Sequence, residues 1–261
     1  MSKHRLMAHN SYGLIEDSIW IGLPKCATTS LYALWNNKNV KSQYFNTNKD
    51  ILKLDKSNTL KQIWCLWRNP WDRWLSALIQ DYETELHLGK VTSGVKNQKE
   101  LSDKDVQHIE KSLLKNWSFK YSKNIKNKKY PHSSIQLTRH IFLLWKLAQE
   151  RFLCPVLTIY PMHEINNAVQ VFTKVGYENI TLNQTNKNNL IKLDNLFKSN
   201  NFYNQWLYQY KEDVNLHQLL NNEICRFHER QWLEKVSPTY GSRTNNFFKK
   251  LISEYQQKIR S

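Results

Sequence analysis

Residues 18–35 read SIWIGLPKCATTSLYALW and residues 62–78 read QIWCLWRNPWDRWLSAL. Each begins with a short apolar run, as a strand covered on both faces does, and each ends with apolar residues at helical spacing. In the first, Ile19 to Leu23 predicts the strand, and Leu31, Leu34 and Trp35 fall on one helix face. In the second, Gln62 to Trp67 predicts the strand, and Trp71, Trp74, Leu75, Leu78 and Tyr82 share a face. Asn69 is placed to cap that helix, Pro70 suits its first position, and Asp72 follows three residues after the cap. Two such units predict an α/β fold with a central, mostly parallel sheet flanked by helices.

What lies between strand and helix carries the chemistry. An open α/β sheet binds ligands beyond the C-terminal ends of its strands, where helix N-termini present amides to anions. The first junction adds the charge of Lys25 and the hydroxyls of Thr28, Thr29 and Ser30, which suits a terminal phosphate-like group. A nucleoside triphosphatase loop needs GxxxxGK[ST], but here the lysine precedes the threonines and no second glycine follows Gly22. The second junction places Arg68 at the strand end, with Arg73 and Ser76 on one face of the first helical turns, suited to bidentate phosphate contact. Taken singly, a lysine and threonines before a helix describe a capped helix, and Arg68 and Arg73 describe partners for Asp72 and Asp81. Two such junctions in succession point to a ligand with two separated anionic groups.

The remainder of the chain sets bounds. Among 261 residues, 38 Lys and Arg against 22 Asp and Glu give a net charge of +16, which favours an anionic partner. Cys26, Cys65, Cys154 and Cys225 are widely separated, with no CxxC pair, which argues against a disulfide or zinc framework. Residues 1–20 lack a continuous apolar h-region, and no window reaches the roughly 18 apolar residues of a membrane span. The expectation is a soluble, cytoplasmic protein.

Residues 1–17 read as an N-terminal extension and 18–235 as one α/β domain. Within that domain, about 83–133 form a helical, lysine-rich insertion, and 236–261 form a basic C-terminal segment. In the insertion a helix is announced by SDKD and carried by Val106, Ile109, Leu113, Leu114 and Trp117. KYSKNIKNKKYPHSS, residues 120–134, reads as an exposed basic loop. A helix is expected from Ile135 to about Gln149, then a strand in FLCPVLTIY, where Pro155 suggests an edge or an irregularity. Gly176 is placed to end the next helix, and Tyr203 to about Leu233 reads as mostly helical.

The junctions resemble those of a known family, the sulfotransferases that use 3'-phosphoadenosine 5'-phosphosulfate (PAPS). LPKCATTSL, residues 23–31, looks like their 5'-phosphosulfate loop, usually PKxGTT, and RNPWDRWLS, residues 68–76, looks like their 3'-phosphate motif, RxPxxRxxS. VLTIYPMHEI, residues 156–165, is similar to a strand and acidic turn late in the family's core, and YQYKEDVNLHQLL, residues 208–220, resembles its C-terminal helix. The spelling is closer to the carbohydrate and membrane-type branches than to the cytosolic one. Ala27 stands where the family has glycine, a restriction on the backbone wherever φ is positive. The interval from Lys25 to Arg68 is short, leaving little room there for acceptor-binding structure.

The resemblance implies a P-loop NTPase-like sulfotransferase fold and sulfuryl transfer from PAPS to a hydroxyl acceptor, a glycan before a small phenol. It leaves adenosine 3',5'-bisphosphate and requires no metal. Lys25, Cys26, Ala27, Thr28, Thr29 and Ser30 would bind the 5' end of the donor, with Lys25 also catalytic. Arg68 and Ser76 would hold the 3'-phosphate, with Arg73 assisting or pairing structurally. The family's usual bases have no counterpart: NVKSQYFN, residues 39–46, carries no carboxylate, and residues 46–67 carry no histidine. His132 and His140 are the candidates that remain, with Glu164 and Asp81 as alternatives. Two other readings stand beside this one. A basic nucleic-acid-binding protein would explain the charge but not the two junctions, and no nucleic acid is expected. A phosphoryl-transferring relative would require a carboxylate to hold a metal.

Overall fold

A computed structural model describes residues 11–45, 60, 62–86, 100–116, 133, 135–152, 156–176 and 185–236 of the chain. Its centre is a six-stranded sheet: β1 (Ser11–Ile15), β2 (Ser18–Gly22), β3 (Ser42–Phe45), β4 (Gln62–Trp67), β5 (Val156–Pro161) and β6 (Cys225–His228), in the order β3-β1-β2-β4-β5-β6. The pairs β2–β4 and β4–β5 are parallel, whereas β1–β2, β1–β3 and β5–β6 are antiparallel. The sheet is therefore mixed rather than mostly parallel. Its centre matches the expectation, and its margins come from short strands that apolar periodicity does not reveal. Every residue of β2, and Ile63 to Trp67 of β4, is buried, as two-sided coverage by helices demands.

The strand β1 lies inside what the sequence reads as an extension. It reaches β2 through the two residues Glu16 and Asp17, with Glu16 at φ 51. Hairpin turns of this kind ordinarily carry glycine or asparagine. Here Glu16 is held by its backbone N–H, which donates to the Lys41 carbonyl at 2.9 Å, and by its carboxylate, which accepts from the Lys41 amide at 3.1 Å. The same two bonds start β3 beside β1.

The helices are α1 (Thr28–Asn37), α2 (Pro70–Leu86), α3 (Asp103–Asn116), α4 (Leu137–Phe152), α5 (Ile165–Thr173), α6 (Lys187–Ser199), α7 (Phe202–Gln209), α8 (Lys211–Leu220) and α9 (Glu229–Lys235). Beneath α1 the core is aromatic: Trp20 meets Trp35 edge to face at 4.9 Å between centroids, and Trp64 stacks on Phe172 at 4.5 Å. A second core lies between helices alone, where Trp71, Trp74, Leu78 and Tyr82 of α2 meet Ile109, Phe197, Phe202 and Trp206. The aromatic stripe on α2 is thus core packing. Ser102 and Asp105 cap α3 reciprocally, the Asp105 carboxylate accepting from the Ser102 amide at 2.8 Å and the Ser102 hydroxyl accepting from the Asp105 amide at 3.3 Å.

Two local expectations are corrected. β5 is an interior strand, paired on both sides and not an edge, and Pro155, which suggested an edge or an irregularity, lies outside the described residues. The helix expected to end at Gly176 ends at Thr173, where Lys174 takes the left-handed conformation at φ 56. Between α8 and α9 the chain also forms β6, in a stretch that reads as helical from sequence. Among the described residues no helix is long and apolar enough to cross a membrane.

Candidate functional site

Because β2, β4 and β5 are parallel neighbours, their C-terminal ends share one edge of the sheet. Three connections leave that edge: residues 23–27 into α1, residues 68–69 into α2, and the single 3-10 turn Met162–Glu164 into α5. The first two are the junctions that the sequence singles out, and the register of the sheet sets them side by side.

The first connection is tightly wound. The Cys26 amide donates to the Leu23 carbonyl at 3.1 Å, and the Thr28 hydroxyl donates to the same oxygen at 2.8 Å. Lys25 and Ala27 both adopt positive φ, 66 and 58, so Ala27 occupies the left-handed region where the family has glycine. This costs an L-residue about 1 kcal/mol. The N-cap residue of α1, Ala27, makes no side-chain cap bond and the first turn holds no acidic residue, so no carboxylate of that turn offsets the positive end of the helix. Lys25 and Thr28 are partly buried, Thr29 is exposed and Ser30 is buried.

Cys26 joins the two junctions. Its thiol is buried and receives the backbone N–H of Arg68, and it lies within the fields of the Arg68 and Arg73 guanidiniums. Burial outweighs both cations and pushes the thiol up to about 11, so it stays protonated and inert at neutral pH.

The second junction is closed by its own side chains. The Asn69 side-chain oxygen accepts from the amides of Trp71 at 2.9 Å and Asp72 at 3.3 Å, forming the cap anticipated from sequence. Arg68 is half-buried at the strand end. Arg73 is fully buried: its Nη2 donates to the Ile135 carbonyl at 3.2 Å, and its charge draws down the proton affinity of Asp213, which burial raises. Asp213 caps α4, accepting from the Leu137 amide at 3.0 Å and from the Thr138 amide and hydroxyl at 2.8 and 2.7 Å. Ser76 is also buried, its hydroxyl bonded to that of Thr185. Of the three groups expected at a 3'-phosphate, Arg68 is therefore the one at the surface. Arg73 lies within the fold, and Ser76 is buried with its hydroxyl bonded to that of Thr185.

The expected proton acceptors are dispersed. His132 lies outside the described residues. His140, on α4, is buried, and burial depresses it to about 4, which makes it a weak base. Asp81 is buried in α2 and accepts from the amide and hydroxyl of Ser133 at 2.9 and 2.8 Å. Glu164, half-buried after β5, is the one of the three described candidates that the topology brings to the same sheet edge as the junctions.

Sequence reading missed His217. It lies on α8 with its Nε2 3.3 Å from the Asn69 amide nitrogen, and it stands four residues after Asp213. That i, i+4 spacing within YQYKEDVNLHQLL was the available signal, since it places both side chains on one helix face. No group of three or more His, Cys, Asp or Glu suited to a metal ion occurs among the described residues. Comparison of the chain with protein-family models, with curated proteins and with solved structures gives no match.

Proposed function

We propose that this protein is a PAPS-dependent sulfotransferase that moves a sulfuryl group to a hydroxyl acceptor, with a glycan favoured. The observation that carries the reading is the side-by-side placement of two strand–helix junctions, one with Lys25 below an uncapped helix and the other with Arg68 at its strand end. A donor with a phosphosulfate at one end and a 3'-phosphate at the other spans two such sites. Sulfuryl transfer asks the protein to align the acceptor with the donor and to neutralise charge as it gathers on the sulfuryl and bridging oxygens. In this reading Lys25 and the first amides of α1 supply the charge. Cys26 and Ala27 supply the wound backbone, Thr28, Thr29 and Ser30 line the loop, and Arg68 grips the 3'-phosphate. Arg73, from inside the fold, fixes the base of α2, and Ser76 lies one turn further on. The excess of basic residues suits an acidic acceptor such as an anionic glycan.

The test is calorimetric titration of the full chain with adenosine 3',5'-bisphosphate, ATP and adenosine 5'-monophosphate, without magnesium and in moderate salt. The expected result is binding of the bisphosphate at least about tenfold tighter than either other nucleotide, the worth of one charge-assisted phosphate contact. Equal affinities would sink the reading. Strongly salt-dependent binding of oligonucleotides would then favour a nucleic-acid partner, and a magnesium-dependent preference for ATP would favour phosphoryl transfer.

A further inference from the structure

The N-terminal turns of α2 meet α8 through two pairs of side chains. Arg73 acts on Asp213, and one turn away Asn69 meets His217. Both pairs are spaced i, i+4 on their own helix and run in opposite chain order, so the helices cross with opposite polarity. The orientation of Asn69 is fixed, because its oxygen already accepts from the amides of Trp71 and Asp72. Its NH2 group therefore faces Nε2 of His217, and a group with only donors to offer requires a lone pair there. The imidazole must be neutral, with its proton on Nδ1.

We propose that His217 is a positioning residue of the second junction: by accepting the Asn69 amide it holds that residue on the α2 N-terminus, keeping Arg68 and the first turn of α2 in the geometry that receives the donor's 3'-phosphate. This rests on the sulfotransferase reading. A protonated ring sets N–H against N–H, so the Asn69 amide must swing away and α2 loses its cap. Burial lowers the proton affinity of His217, and Asp72, facing it from α2, raises it by a smaller amount. Among the described side chains, the other charges on the helices packed against α8 are engaged elsewhere or exposed, and His140 of α4 is kept neutral by burial. On α2, Arg73 acts on Asp213 and Asp81 binds Ser133; on α4, Lys146 pairs with Glu229 at 2.8 Å and Arg139 is exposed; α7 has no charged residue. The ring is neutral at pH 7 and charges only below its ordinary range, so the junction loosens on acidification.

The experiment measures the preference for adenosine 3',5'-bisphosphate over adenosine 5'-monophosphate at pH 7.5, 6.5 and 5.5, by calorimetry on wild type, His217→Gln and His217→Ala. Glutamine offers Asn69 a carbonyl oxygen at every pH and so restores the bond without the titration. The wild-type preference should fall about fivefold more between pH 7.5 and 5.5 than that of His217→Gln, the effect of losing one N-cap. His217→Ala should be about fivefold weaker at pH 7.5, with no step of its own beyond the ligand's titration, which His217→Gln also reports. Parallel profiles for wild type and His217→Gln would overturn the proposal while leaving the donor reading in place. A wild-type preference that rises on acidification would also overturn it, since His217 would then be a cationic contact. Absence of any bisphosphate preference in wild type at pH 7.5 would sink the donor reading, and this proposal with it.

Discussion

The two junctions leave neighbouring parallel strands and resemble each other in sequence, yet they are built in opposite ways. The β2–α1 connection winds through two left-handed residues and ends on a helix with no side-chain cap and no acidic residue in its first turn. The β4–α2 connection is capped by Asn69, and behind it Arg73 is buried against the Ile135 carbonyl and Asp213. The first holds two residues at positive φ ahead of a positive helix end that its own N-cap residue does not cap. The second uses its polar groups to hold α2, α4 and α8 together, and leaves Arg68 half-buried at the strand end. In the proposed reading the first junction meets reacting charge, and the second fixes where the far end of the donor sits.

The sharpest way to break this contrast is to remove the half-buried cation from each side. Lys25→Ala should lower turnover about 10²- to 10³-fold with little change in bisphosphate affinity, the scale of one charge-stabilising donor. Arg68→Ala should weaken bisphosphate binding about tenfold or more with a smaller effect on turnover at saturating donor. Steady-state kinetics on an acceptor found by screening, set beside calorimetry of both variants, separates the two. An Arg68→Ala enzyme with unchanged donor affinity would remove the second junction from the site.

Arg73 should behave differently from Arg68 although both belong to the motif. Arg73→Ala removes a fully buried cation that donates to the Ile135 carbonyl and whose field acts on buried Asp213, and should cost about 3 kcal/mol of stability in urea denaturation. Arg68→Ala, at a half-buried position, should cost under about 1 kcal/mol. Equal losses would mean that the second junction is no more internally braced than the first. Asn69→Ala comes next, at about 1 kcal/mol for a lost N-cap. Thr28→Val, by contrast, should cost stability through the Thr28 hydroxyl's bond to the Leu23 carbonyl, about 1 kcal/mol by the same denaturation measurement.

The sequence made the parallel centre of the sheet legible because β2 and β4 are buried on both faces and therefore read as unbroken apolar runs. Asn69 and Ser102 announced their helices through residue types that have few other reasons to stand at those positions. The margins were illegible for equally physical reasons. β3 and β6 are four residues long and half polar, and β1 leaves through a glutamate in a turn that normally carries glycine or asparagine. Their pairing is imposed by neighbours rather than written in their own periodicity. At the site, residue types were readable but depth was not. Nothing in RNPWDRWLS distinguishes Arg68, which is half-buried, from Arg73, which is fully buried. That difference arises from α8, more than a hundred residues later, where Asp213 and His217 cover the face of α2.

Ala27 offers the smallest effect and the most direct check on the shape of the first junction. A left-handed alanine carries about 1 kcal/mol of strain that glycine would not, which favours Ala27→Gly. Glycine also adds freedom to the unfolded chain, which works against the variant by about 0.5 to 1 kcal/mol. The two nearly cancel where φ is positive, so Ala27→Gly should shift the urea midpoint by no more than about 0.5 kcal/mol in either direction. If the loop instead held Ala27 at negative φ, the strain would be absent and the variant should lose the full entropic cost. A measured loss near 1 kcal/mol would therefore show a loop wound differently from the one seen here. It would remove the reason for regarding the β2–α1 connection as the more strained of the two junctions.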